Sequence, residues 1–184
     1  MSSTVTNIIK NAEDQIRTGG YNAFSFREVA KAIGIKSASI HYHFPTKTDL
    51  AVVVANRYTH HFIQQLEAIS NNIEQPKERL ARYIDLFRHA IQVDKKMCLC
   101  GILASEIDVL PDLLQIEVKR FFDLNLEWLS KHLFGKQHNA TAQACRLLAS
   151  LEGTLLISKA MKSDDIFDSV SNQLLLETLR TQPS

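Results

Sequence analysis

The sequence predicts an all-α protein of about nine helices. Apolar residues recur at helical spacing along nearly the whole chain, and the alternation typical of β-strands is almost absent. Glycines, prolines and Ser/Thr-x-x-acid patterns divide the 184 residues into segments of helical length. This length is sufficient to bury a core without disulfides, and 45% apolar with 22% charged residues is typical of a globular protein.

Capping residues and glycines delimit the first two predicted helices. The first helix has a face of isoleucine and alanine and is expected to end at Gly19-Gly20, because glycine adopts the left-handed conformation that stops a helix. Ser25 and Glu28 form a capping box that starts a second helix, from Phe26 to Ile33. Gly34 is expected to end it.

The third and fourth helices are predicted from the same kinds of signal. Ser37 is expected to cap a short third helix that ends before Pro45, since the residue preceding a proline avoids helical angles. Thr46 and Asp49 form another cap, which opens a long fourth helix. Five further helices are predicted at about 80–91, 97–108, 111–135, 140–161 and 165–180.

The second and third helices have the spacing of a helix-turn-helix. Such a motif needs a small residue where the helices cross, a glycine in the turn and apolar residues that hold the second helix down. Ala30, Gly34 and the set Val29, Ile35 and Ile40 fit these needs. The spacing favours a DNA-binding motif, with an ordinary helical hairpin as the alternative.

The segment from Phe26 to Leu50 closely resembles the DNA-binding domain of the TetR/AcrR repressor family. The family pattern is matched at Val29-Ala30, Gly34 to Ser37, Ile40 to Phe44 and Lys47 to Leu50. The resemblance covers about residues 5–60, and the rest of the chain matches only in helix count and length. It implies a DNA-binding domain at 1–48 and a helical sensing and dimerisation domain at 49–184.

The resemblance also implies which side chains contact double-stranded DNA. Short polar side chains at the start of a helix allow its backbone to enter the major groove. The implied groove contacts are Lys36, Ser37, Ser39 and His41. The implied phosphate contacts are Tyr42, Lys47 and Ser25. A metal site at His41 and His43 is not favoured, because positions i and i+2 of a helix point apart.

The eighth predicted helix indicates a homodimer. It carries small residues among leucines and is apolar on most sides, so it must be covered on two sides. A four-helix bundle formed with a second subunit satisfies this need, and paired recognition helices imply a palindromic operator. A buried helix of a monomer is the alternative. Cys145 is expected in the bundle core.

Two hypotheses concern the signal that releases DNA. Cys98 follows Lys95-Lys96 in the first turn of the sixth predicted helix, where a thiol becomes more nucleophilic. This position resembles a branch of the family in which some members respond to electrophiles or oxidants, although packing alone would also explain the cysteine. Cys100 lies on the opposite face of that helix. The second hypothesis is an apolar inducer, with Phe87, Phe121, Phe122 and Trp128 as candidate walls.

Charge and composition limit the other classes of function. The 21 basic and 20 acidic residues exclude general attraction to polyanions, but residues 1–50 carry a net charge of +2. Neither an enzyme motif nor a cofactor or metal pattern is found, so an enzyme is disfavoured. A helical protein-binding adaptor would not need the residues that resemble a DNA-binding motif. The odd number of cysteines, three, suggests a reducing compartment. The N-terminus is polar and no apolar run approaches ~20 residues, so we expect a cytoplasmic protein that does not span a membrane.

Overall fold

A computed structural model describes residues 3–135 and 139–180, with side chains up to 177, and all regular structure in these ranges is helical. Nine α-helices are present there, which confirms the all-α prediction. They are α1 (Ser3–Ala23), α2 (Phe26–Ile33), α3 (Ser37–His43), α4 (Lys47–Asn72), α5 (Pro76–Arg88), α6 (Leu99–Ala104), α7 (Asp112–Leu129), α8 (Ala140–Met161) and α9 (Asp164–Arg180). Five-residue π-helical turns at His89–Val93 and Ser130–Phe134 extend α5 and α7, and a 3-10 turn spans Ile107–Val109. None of the described helices is both long and apolar enough to cross a membrane.

The described chain falls into two compact units. The first comprises the described parts of Met1–His61 together with Leu99–Phe121. In this unit α1 packs against α2 and α6, and α2 packs against α3. Its core is built from apolar residues that are fully or almost fully buried: Ile8, Ile9, Ala12, Ile16, Phe24, Val29, Ala30, Ile40, Leu50 and Val54.

The second unit comprises Phe62–Cys98 and the described parts of Phe122–Ser184. Here α8 packs along α9, and α5 contacts both α8 and α9. Its core is formed by leucines and large aromatic residues: Leu66, Leu80, Tyr83, Phe87, Leu129, Leu147, Leu151, Leu155 and Phe167.

The local signals at α2, α4 and α8 predict their bounds well. Ser25 caps α2, where its Oγ accepts the N–H of Glu28 at 3.2 Å. The pair at the start of α4 is reciprocal, because Thr46 Oγ accepts the N–H of Asp49 and Asp49 Oδ2 accepts the N–H of Thr46. The predicted ends of α8 agree with its observed span, Ala140–Met161.

Two predicted helix ends need correction. Gly20 does break α1, with φ 82° and ψ −178°, but another helical turn follows through Ala23. Ser37 does not cap α3: it is the first helical residue, and Lys36 occupies the cap position without a side-chain hydrogen bond. Because the turn at Gly34 is completed at Ile35, a single extended residue is enough to lead into α3.

The predicted sixth helix begins later than expected. The chain turns at Lys95, which has a φ of 57°, and the N–H of Lys96 donates to Ala90 O at 3.0 Å. Residues 95–98 are used by this turn, so α6 starts only at Leu99. Cys98 therefore precedes α6, and the expectation that it lies in the helix's first turn is wrong.

Candidate nucleic-acid interface and sensing residues

The turn between α2 and α3 is a glycine-dependent helix stop. Gly34 has φ 73° and ψ 31°, which is the left-handed conformation. The N–H of Ile35 donates to Ala30 O at 3.0 Å, and the N–H of Gly34 donates to Lys31 O at 3.4 Å. These two bonds satisfy the last carbonyls of α2 and form a Schellman motif. The turn thereby fixes the direction in which α3 leaves α2.

Helix α3 packs against the core of the first unit with one face and presents polar side chains on its other faces. Ile40 is its only buried residue, and Phe44, just after the helix, is buried as well. Tyr42 is 84% exposed. Lys36, Ser39 and His41 are exposed and Ser37 is half-buried. A two-turn helix with this pattern can contact an outside partner with most of its length.

Aromatic contacts restrict two of the predicted DNA-contacting side chains. The ring of His41 lies edge-to-face on Phe26, with 4.7 Å between centroids. Phe26 is itself buried at the start of α2. The rings of Tyr42 and His43 are 4.9 Å apart in a similar arrangement. Restricted side chains lose less conformational freedom when they bind.

Lys47 lies beside two aromatic rings instead of extending into solvent. Its Nζ is 4.3 Å from the ring centroid of Tyr21 and 4.9 Å from that of Phe24. Partial burial lowers the pKa of Lys47, while the negative charge of Glu106 acts in the opposite direction. An aromatic face attracts an ammonium group without accepting conventional hydrogen bonds from it. The N–H groups of Lys47 therefore remain available to an anionic partner such as a phosphate.

Glu106 links the end of the α6 region to α1 inside the first unit. Its Oε2 accepts the N–H of Tyr21 at 2.7 Å, directly after the break at Gly20. Tyr21 and Phe24 in turn form the surface under Lys47. No local pattern in the sequence indicates this role of Glu106, because 85 residues separate it from Tyr21.

The second unit contains a buried aromatic cluster, which we call the Tyr83 cluster: Phe62, Tyr83, Phe87, Asn125 and Trp128. Tyr83 stacks on Trp128 with centroids 5.7 Å apart and an angle of 13° between planes, and its hydroxyl donates to Asn125 Oδ1 at 3.0 Å. Phe87 is 5.3 Å from the Tyr83 ring, and Phe62 contacts both. The indole N–H of Trp128 is sealed from solvent and has no hydrogen-bond partner among the described residues.

Glu152, on α8, places a carboxylate beside this cluster. Both carboxylate oxygens are sealed from solvent, and neither makes a hydrogen bond of normal geometry. Burial raises the pKa of Glu152 to about 7, with the nearby Cys98 thiol favouring the ionised form. Burial also raises the pKa of Tyr83, and the charge of Glu152 raises it further. A single acid between Leu151 and Gly153 was the only sequence signal for this site.

The candidate sensing residues belong to both units. Phe87 and Trp128 belong to the Tyr83 cluster, and Phe122 is half-buried in the same unit. Phe121 belongs to the first unit, where its ring centroid is 5.9 Å from that of Tyr58. These positions divide the four predicted walls between two units.

The three cysteines differ in environment. Cys98 is 2% exposed and lies next to Glu152. The ammonium of Lys95 instead pairs with Asp164 at 2.6 Å. Cys100 is buried in α6. Cys145 is exposed in the single chain, so its expected place in the core of a two-subunit bundle stays a prediction.

Cys145 lies on an apolar face of α8 that the described chain leaves uncovered. The face is opposite the buried leucines and consists mostly of small residues: Ala142, Cys145, Ala149, Gly153, Leu156 and Ala160. Leu156 is 61% exposed. A Cβ added at Gly153 would meet no atom within 4 Å. Another helix can therefore approach α8 closely along this face.

Comparison with known proteins gives a consistent result. A sequence profile described as "Bacterial regulatory proteins, tetR family" matches residues 8–54. A TetR transcriptional regulator from Legionella pneumophila is 36% identical, with 95% of this chain and 96% of that chain covered and a TM-score of 0.89. A TetR-family regulator from Agrobacterium tumefaciens is 31% identical over 95% and 97% of the two chains, also with a TM-score of 0.89. E. coli NemR in its reduced form shares the fold, at 17% identity over 94% and 95% of the chains and a TM-score of 0.81. Comparison with curated proteins found no match.

Proposed function

Since the chain belongs to the TetR family of bacterial regulatory proteins, we propose that it is a sequence-specific transcriptional repressor. The observation that carries the proposal is α3, which is anchored by buried Ile40 and by Phe44 just after it and exposes polar side chains along two helical turns. Such a helix fits the major groove of B-form DNA. The family and the fold are those of transcriptional regulators, so we propose action by binding and not by catalysis.

The proposed contacts divide into two groups. The residues that contact the groove and select bases are Lys36, Ser37, Ser39 and His41. Ser25, Tyr42 and Lys47 contact phosphates. The hydroxyl oxygen of Ser25 accepts a backbone N–H, which leaves its proton for a phosphate oxygen. Lys47 supplies charge at the first turn of α4, where backbone N–H groups also attract anions.

We propose that residues 1–48 bind DNA and that residues 49–184 sense the signal and dimerise. The uncovered face of α8 would pack on its counterpart in a second copy of the chain, with exposed apolar residues of α9 such as Leu176 beside it. Two recognition helices related by a two-fold axis then require a palindromic operator.

Release from the operator is proposed to follow a small-molecule or thiol-reactive signal. For the thiol route, maleimide should modify Cys98 in the native protein and release operator DNA. Because Cys98 is almost fully buried, this reaction requires local opening of the second unit and should be slow. If Cys98→Ser is released by the same dose as the unmodified sequence, the thiol is not the sensor.

The test of the repressor proposal is selection of genomic DNA fragments by the purified protein. We expect a motif with dyad symmetry whose half-sites are about one helical turn or a multiple of it apart. Selection with Ser39→Ala should enrich a different or weaker motif, whereas Gln64→Ala, an exposed change on α4 that is not among the proposed DNA contacts, should enrich the same one. Failure of the unmodified protein to enrich any motif would contradict the proposal.

A further inference from the structure

The Tyr83 cluster and Glu152 together contain polar atoms that the protein buries without pairing. The carboxylate oxygens of Glu152 and the indole N–H of Trp128 are sealed from solvent and have no normal hydrogen bond. A buried polar atom without a partner is costly, and an unpaired buried charge costs much more. Most buried polar groups in proteins are satisfied, so such a group beside a sensing candidate requires an explanation.

Tyr83 is the common neighbour of these groups. Its ring stacks on Trp128, its hydroxyl donates to Asn125, and Glu152 and Cys98 are near enough to raise its pKa. These residues come from α5, α7, α8 and the segment before α6, all within the second unit. Convergence of four elements on a few polar groups within an apolar surround is the usual composition of a ligand site.

The chemistry of the site selects the charge of its ligand. An ionised carboxylate only accepts hydrogen bonds, so it needs a donor, and a cation compensates its charge as well. The faces of Phe62, Tyr83, Phe87 and Trp128 attract cations and repel anions. No cationic side chain pairs with Glu152 in the part of the chain that the structure describes.

We propose that the Tyr83 cluster and Glu152 form the binding site of an organic cation, an amine with an aromatic or apolar body. Glu152 binds the ammonium group, and the aromatic rings bind the ligand body. Binding also favours the ionised form of Glu152, so a proton leaves the carboxyl group when the amine binds near neutral pH. The site's role as an inducer site rests on the proposed repressor function, whereas the binding itself does not.

The protein carries its own probe for this proposal, because Trp128 is its single tryptophan. Titration with phenethylamine should change the tryptophan fluorescence of the full chain, and the neutral phenethyl alcohol should bind about tenfold more weakly or worse. Glu152→Gln should weaken amine binding on the order of 100-fold, as expected when one partner of a buried charge pair is lost. Glu127→Gln removes an exposed carboxylate of α7 and should leave binding unchanged.

The pH profile provides a second readout that needs no variant. Amine affinity should fall about tenfold from about pH 8 to about pH 6, because the ionised fraction of Glu152 changes by that factor around a pKa of about 7. Tyr83 and Cys98 are the other titratable groups at the site. If Glu152→Gln does not fold, this profile and the comparison of amine with alcohol decide the matter.

Three results would overturn the site: no response to the amine, equal affinity for amine and alcohol, or an amine affinity that is independent of both pH and Glu152. None of these measurements uses DNA. A protein that selects an operator but ignores the amine refutes only this site. A protein that binds the amine but selects no DNA refutes only the repressor function.

Discussion

Replacement of Gly20 by alanine should destabilise the first unit far more than a usual glycine substitution. Gly20 has φ 82° and ψ −178°, a conformation that is almost restricted to glycine and costs other residues about 1–3 kcal/mol. A Cβ at this position would overlap Glu106 Oε1 and would lie 2.9 Å from its Cδ. The flexible side chain of Glu106 can move away, but it would then lose its 2.7 Å bond to the N–H of Tyr21.

The two effects together set the expected magnitude. A hydrogen bond to a charged group contributes about 1.5–3 kcal/mol. With the backbone strain, Gly20→Ala should lower the free energy of unfolding by about 3–5 kcal/mol, a large part of the ~5–15 kcal/mol that is typical of a folded protein. DNA affinity should fall too, because Tyr21 and Phe24 follow Gly20 directly and hold Lys47.

Urea denaturation followed by circular dichroism measures this free energy. Gly34→Ala is the matched control, since Gly34 is also left-handed but an added Cβ there meets no atom within 4 Å. It should cost only the strain, about 1–2 kcal/mol. In a Glu106→Ala background the cost of Gly20→Ala should fall by about 1.5–3 kcal/mol, because the hydrogen bond is already absent. Equal costs of Gly20→Ala in both backgrounds, or a cost no greater than that of Gly34→Ala, would refute the reasoning.

Three further predictions follow from the surface and core residues. Lys47→Ala should weaken binding to all DNA sequences alike and should reduce the dependence of log affinity on log salt concentration by about one unit. Ser39→Ala should instead reduce the binding free energy by about 1–3 kcal/mol on the native operator only. Equal loss of sequence preference in both variants would contradict the division into phosphate and groove contacts. Ala149→Arg should abolish the proposed dimer at micromolar concentration in sedimentation experiments, because each buried unpaired charge costs several kcal/mol. Ala68→Arg, a substitution of an exposed alanine on α4, should leave the dimer intact. A dimer that survives Ala149→Arg excludes the α8 face as the interface. Glu152→Gln should stabilise the protein by about 2–3 kcal/mol more at pH 8 than at pH 5. Folding raises the pKa of Glu152 from 4.5 to about 7, so the unfavourable cost of its ionised form develops as the pH rises from about 4.5 to about 7. A pH-independent difference in urea midpoints would argue against a buried carboxyl group.

Local sequence patterns determined the helices of this protein and the motif that identifies its family. Ser25 with Glu28, Thr46 with Asp49, and Ile35 with Ala30 act through hydrogen bonds between residues no more than five positions apart. The residues and angles needed for such bonds are visible in a short stretch of chain. For the same reason Ser39 and His41 lie in α3 at the positions that helical spacing predicts. The cap of α3 differs from the prediction, because Lys36 and not Ser37 occupies that position.

Contacts between distant parts of the chain decided the rest. Glu106 meets Tyr21 across 85 residues, and Lys95 pairs with Asp164 across 69, which removes a cation from the surroundings of Cys98. Cys145 lies outside the core and the carboxylate of Glu152 inside it, although both belong to the same predicted helix. Helical spacing gives the relative directions of side chains but not which neighbours cover them. Burial, and with it the pKa and reactivity of a group, depends on those neighbours, so only the tertiary structure shows which acid and which thiol are enclosed.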